Sequence, residues 1–186
     1  MSLTLLAVQT LNGLQLGLLL FLVAAGLTLV FGVMDFINLA HGVQYMVGAY
    51  LAVAFYGVVA HFGLSLLLAL GASLAIGLVL EAAVYRHLYG RNHLDQVLAT
   101  FGIILMLTEG ADMIFGPAPL SLPAPEILGG AIPLMEGFGY PVYRVAVVLA
   151  GLGVAALLYG LVRHTRIGMR VRAGATDARM IGALGV

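Results

Sequence analysis

Residues 11–33 read LNGLQLGLLLFLVAAGLTLVFGV, and this stretch decides the fold class. It is longer than the roughly 20 apolar residues that a helix needs to cross about 30 Å of hydrocarbon. No Asp, Glu, Lys or Arg occurs from Met1 to Met34. Because the stretch outruns the apolar core of a signal peptide and has no basic residue ahead of it, the sequence predicts a retained membrane span.

The rest of the chain continues this apolar pattern. Hydrophobic residues make up 62% of the sequence, charged residues make up 9%, and the mean hydropathy is +1.11, which is far above the soluble range. The predicted fold is all-α, with about five spans bundled in a single transmembrane domain and a short cytoplasmic helix at the C-terminal end. The predicted spans are about 11–33, 38–60, 64–84, 96–115 and 145–162.

Prolines and arginines predict which segments lie outside the membrane. All six prolines fall in residues 116–141, a composition that favours turns and short extended pieces, so we predict an external loop there. Every arginine except Arg144 lies either between Tyr85 and Asp95 or after Val162. Since short arginine-rich loops stay cytoplasmic, five spans place the N-terminus outside and the C-terminus inside.

Several classes of function are excluded by residues that the chain lacks. Without lysine there is no Walker A loop, so the chain does not hydrolyse ATP by itself. Without cysteine there is no disulfide, thiol nucleophile or thiolate metal site. The five histidines are scattered, so we expect no metal and no cofactor. A net charge of zero argues against a nucleic-acid partner, and the lipid bilayer is the first expected partner.

Polar side chains recur at helical spacing where the second span begins. Asn38, His41 and Gln44 or Tyr45 would share one face, and polar groups at membrane depth normally face protein or water. Asn38 is also a good N-cap, and an exposed helix N-terminus can bind an anion such as a substrate carboxylate. The alternative is purely structural: Asn38 caps the helix and His41 bonds a neighbouring helix.

Several motifs follow one another along nearly the whole chain. They are Gly26 to Met34, Ile37-Asn38-Leu39-Ala40-His41-Gly42, Gly48-Ala49-Tyr50, Leu80-Glu81, Tyr85-Arg86, Leu98 to Gly102, Phe115-Gly116-Pro117, Thr165-Arg166-Ile167-Gly168, Arg172-Ala173, Asp177 and Gly185-Val186. In this order they resemble the permease family of branched-chain amino acid ABC importers, whose relatives move urea and short amides.

The resemblance implies a permease subunit that conducts branched-chain or other small amino acids, urea or amides across the inner membrane and performs no chemistry. It implies ABC ATPase subunits, a second permease subunit, homologous or identical, and an external substrate-binding protein as partners. The candidate substrate-path residues are Asn38, His41, Gln44, Tyr45, Thr100 and Glu109. The resemblance assigns ATPase coupling to Gly168, Arg172, Ala173, Asp177, Ala178 and Gly185.

The cytoplasmic segment 163–186 carries a weak apolar stripe beside its arginines. Thr176 or Asp177 could cap a short helix that Gly185 ends. The resemblance makes this helix, around Ala173 to Gly185, the part that docks on the ATPase. The alternative is a basic interfacial helix resting on anionic lipid headgroups.

Two features depart from the family pattern. Family members usually have an acidic residue after the His-Gly pair, where this chain has Val43 and Gln44. They also continue into further spans, so we expect a fragment or a truncated form.

Two other hypotheses stay open: a membrane fragment that does not transport, and an intramembrane enzyme. The enzyme would need His41 within hydrogen-bond reach of Glu109 or Asp112.

Overall fold

The computed structural model describes residues 3–135 and 138–176, and their architecture confirms the predicted all-α polytopic fold. In these residues five helical segments are long and apolar enough to cross a membrane. The helices are α1 Leu3–Met34, α2 His41–Val59, α3 Phe62–Leu80, α4 Arg86–Leu88, α5 His93–Phe115, α6 Val142–His164 and α7 Arg166–Thr176. A π-helical turn, Glu81–Tyr85, joins α3 to α4 without a break in the span.

The chain forms two compact units, one of residues 30–123 and one of residues 1–29 with 124–186. In the first unit, α2 and α3 form a tight pair, and a Cβ placed on Gly48 would lie 3.3 Å from the Ser73 hydroxyl. Ala60 adopts a left-handed conformation with φ 52°, and the His61 Nδ1 atom caps α3 by accepting the Leu64 N–H at 3.2 Å. The turn therefore lies at Ala60 and His61, where the second predicted span ends.

The buried core of unit 30–123 lies around the connection between α1 and α2. Phe36 is 1% exposed, and its ring contacts Tyr85 and Tyr89 at centroid distances of 5.6 and 5.2 Å. Ala40, Leu80 and Ile103 complete the cluster. Residues 35–40 are not helical, so the core surrounds irregular backbone rather than a helix crossing.

In the second unit, a hairpin and α6 pack on α1. Strands β1 Ala131–Met135 and β2 Phe138–Pro141 pair antiparallel, with Ile132 opposite Tyr140. The Asn12 Oδ1 atom accepts hydrogen bonds from the Tyr140 hydroxyl at 3.3 Å and from the Arg144 guanidinium. Further along, buried Gly151 lets α6 approach Leu18 closely.

Two predicted helix starts are wrong. Asn38 does not cap α2, because the N-cap position is Ala40 and no side chain bonds the first turn there. The Asn38 side chain is packed into the core instead. Of the two predicted caps of the tail helix, Thr176 is wrong, because it lies within α7, which starts at Arg166. The predicted capping and coupling residues Asp177, Ala178 and Gly185 lie outside the described residues.

Candidate functional site

The connection between α1 and α2 is irregular backbone that α5 side chains support. The Ile37 N–H donates to the Gln96 Oε1 atom at 3.1 Å, and the Leu39 N–H donates to the Thr100 hydroxyl at 3.4 Å. Buried backbone N–H groups outside a helix need partners from other parts of the protein. Gln96 and Thr100 supply those partners for residues 35–40.

Gln96 is the centre of this support, and the sequence interpretation missed it. Its side chain is 2% exposed, and its Nε2 atom donates to the carbonyl oxygens of Leu88 and Arg91, both at 3.2 Å. One amide therefore ties the start of α2 to the turn between α4 and α5. The sequence did contain a signal for its role. Gln96 and Thr100 are four residues apart, and residues at this spacing share one helix face.

Asn38 and Gln44 meet at the Tyr85 hydroxyl. The Gln44 Nε2 atom lies 3.3 Å from this hydroxyl oxygen, and the Asn38 side chain lies next to it. Asn38 is 5% exposed, yet its Oδ1 atom accepts no hydrogen bond from any described residue. Burying a polar atom without a partner costs free energy of folding. An acceptor of this kind is therefore suited to bind a hydrogen-bond donor on a ligand.

Thr100, another predicted path residue, is fully buried beside this cluster. Its hydroxyl donates to the Gln96 carbonyl oxygen at 2.8 Å while accepting the Leu39 N–H. Thr100 therefore lies among the predicted residues and positions the backbone that carries Asn38.

The other predicted path residues lie apart from the cluster. Tyr45 is 60% exposed, and Glu109 is exposed on α5. His41 is half-buried as the first residue of α2. The described part of the chain shows no hydrogen bond or ion pair between His41 and either Glu109 or Asp112, the pairs that an enzyme would need.

A polar rim borders the cluster. His93 lies 3.9 Å from the Asp35 carboxylate, and the Tyr89 hydroxyl donates to the Glu81 carboxylate. Burial of Tyr89, together with this hydrogen bond, raises the pKa of its phenol above the usual value. Tyr89 also packs against Phe36, so the rim is joined to the core.

Three predicted coupling residues, Gly168, Arg172 and Ala173, lie on α7. The Gly168 N–H donates to the Thr165 hydroxyl at 3.1 Å, and a Cβ on Gly168 would lie only 2.1 Å from the Val162 carbonyl oxygen. Arg172 donates to that same carbonyl. Only glycine fits where α7 turns against the end of α6.

Comparison with known proteins identifies the family of the chain. A family model described as the permease component of the branched-chain amino acid transport system matches residues 9–186. The chain belongs to this family. Membership of a transporter permease family disfavours the enzyme hypothesis.

Individual permeases show the same similarity. The chain is 30% identical to the high-affinity branched-chain amino acid transport system permease protein BraD of Pseudomonas aeruginosa, with 96% of this chain and 62% of that protein aligned. It is 27% identical to the corresponding LivH proteins of Salmonella typhimurium and Escherichia coli, over 96% of this chain and 61% of each relative. The chain thus spans about three fifths of the length of these permeases. No solved structure matches it.

Proposed function

We propose that the chain is a membrane-spanning permease subunit of an ABC importer for branched-chain or other small amino acids in the inner membrane. It conducts substrate, while partner ATPases supply the conformational work and an external binding protein delivers the substrate. A second permease subunit completes the path. Family membership and the names of the curated relatives support this function.

The observation that carries the proposal is the break at residues 35–40, in which Phe36, Asn38 and Ala40 are buried. Transporters place substrate sites where membrane helices are interrupted by irregular backbone. Here the break holds an acceptor without a partner, the Asn38 Oδ1 atom. An amino acid carries an ammonium group, which donates hydrogen bonds. We therefore assign the Asn38 Oδ1 atom to accept a hydrogen bond from the substrate's ammonium group.

Uptake in proteoliposomes tests the proposal. The permease would be reconstituted with its second permease subunit, its ATPase and its binding protein and supplied with labelled leucine, urea or acetamide. We expect ATP-dependent leucine uptake, and an Asn38→Leu variant should reduce it about tenfold, the effect of losing roughly 1.4 kcal/mol of binding. Because the Asn38 Oδ1 atom has no hydrogen bond to lose, we expect the folded yield to change little.

Gln9→Leu is the matched control, because Gln9 is an exposed amide on α1, remote from the break in sequence. Failure of the complete importer to move any of the three solutes would refute the transport function. Leucine uptake at the normal rate by Asn38→Leu would leave the transport function standing and remove the break from the substrate path.

The proposed ATPase contact is α7 and the residues after it. Arg170 and Arg172 are exposed on α7, and the helix has one polar and one apolar face. Co-purification with the ATPase should be lost when Arg170 and Asp177 are both replaced by alanine. Retained association after deletion of residues 166–186 would contradict this contact.

A further inference from the structure

In the unit of residues 1–29 and 124–186, α1 and α6 touch along only part of their length. They are joined at Asn12 through Tyr140 and Arg144, and again where Leu18 meets Gly151. Beyond this second contact a groove of about 880 Å³ opens between the two helices and α7. This volume is within the range of small-molecule and cofactor sites.

The groove has an apolar body and a basic end. Small and aliphatic side chains line the body, including Ala25, Leu29, Ala155 and Leu158. Arg163 and Arg172 line the end at which α6 gives way to α7. The Arg163 guanidinium lies 5.6 Å from the Tyr159 ring centroid, a pairing of arginine and tyrosine typical of the membrane interface.

The length of the groove matches one leaflet of a bilayer. Ala155 and Arg163 are eight residues apart on α6, which corresponds to about 12 Å along the helix axis. Half of a hydrocarbon core of about 30 Å is about 15 Å. The contact between Leu18 and Gly151 closes the groove near half depth. An apolar body of one-leaflet length that ends at two arginines matches a lipid with an anionic headgroup.

We propose that this groove binds one anionic phospholipid from the leaflet on the arginine side. One of its two acyl chains lies between α1 and α6, and its phosphate lies at Arg163 and Arg172. Basic pockets between membrane helices are a recurrent form of anionic headgroup site. The proposal does not depend on the transport function, since it rests on the shape and charge of one unit alone.

Retention of defined lipids by the purified chain tests the charge of the site. The full chain would be equilibrated with equal amounts of phosphatidylglycerol and phosphatidylcholine in detergent, and bound lipid counted by native mass spectrometry. We expect phosphatidylglycerol to be enriched, and Arg163→Gln or Arg172→Gln to lower its retention about fivefold each. Arg91→Gln removes an arginine outside the groove and should change nothing.

Substitutions at two neighbouring alanines test whether lipid binding depends on the shape of the groove. Ala155→Leu fills the groove and should abolish retention of phosphatidylglycerol, whereas Ala156→Leu adds the same bulk on an exposed face and should preserve it. Equal retention of the two lipids by the unaltered chain would refute the proposal. So would full retention by both arginine variants, complete competition by inorganic phosphate, or cross-linking of an Ala155→Cys variant to a second protein helix.

Discussion

A single amide, Gln96, stabilises the irregular start of α2. It accepts one backbone N–H from the connection between α1 and α2 and donates to two backbone carbonyls at the turn between α4 and α5. Thr100 adds one further bond, to Leu39. Residues 35–40 therefore keep one conformation because two α5 side chains replace the missing helical hydrogen bonds.

Replacing Gln96 by leucine should destabilise the protein strongly. Gln96→Leu keeps the volume but leaves the Ile37 N–H and two carbonyls without partners, at a cost of roughly 2–4 kcal/mol. The expected result is a clear fall in the midpoint of thermal unfolding in detergent. Gln9→Leu, on an exposed face of α1, should not lower it. Equal midpoints for the two variants would show that the Gln96 bonds contribute little.

At the scale of elements, helix α5 begins at a side-chain cap. The Asn92 Oδ1 atom accepts the Asp95 N–H at 2.8 Å, which satisfies one of the free donors of the first turn. Asn92→Ala should cost about 1 kcal/mol, and Asn92→Ser should recover most of it, because serine caps helices nearly as well as asparagine. Chemical unfolding in detergent measures the free energy of unfolding of both variants. If the alanine and serine variants are equally stable, Asn92 has no capping role.

The junction of α6 and α7 depends on glycine. Gly168→Ala would force a Cβ against the carbonyl oxygens of Leu161 and Val162, so α7 should move away from the end of α6. We expect transport-coupled ATP hydrolysis to fall at least about tenfold, as for loss of a contact of roughly 1.4 kcal/mol. Gly160→Ala, on α6 with open space around it, is the control. Normal coupling in Gly168→Ala would exclude a role for this junction.

The elements differ in how far their sequence determines them. Five spans followed from the length of the apolar stretches, because in lipid a long apolar stretch has few alternatives to a helix. The buried break could not be predicted in the same way, since Ile37 and Gln96 are 59 positions apart. The start of α7 was also missed. An amphipathic helix after Arg163 contains no long apolar stretch, so its first residue cannot be recognised in the way that a span can.

At the scale of the whole molecule, the orientation of the chain can be tested directly. The chain contains no cysteine, so single cysteines can be added without removing any. Gly90→Cys and Arg170→Cys should react with a membrane-impermeant maleimide only after the inner face is opened, and Ala124→Cys should react from outside. All three positions are exposed. The reverse pattern would invert the proposed topology.

The buried break also has a consequence for how the chain is made. Ile37 and Leu39 leave the ribosome well before Gln96 and Thr100 have been synthesised, so their backbone N–H groups then lack their final partners. Until α5 arrives, water or the insertion machinery must satisfy these N–H groups. The break therefore reaches its final structure only after Thr100 has been made.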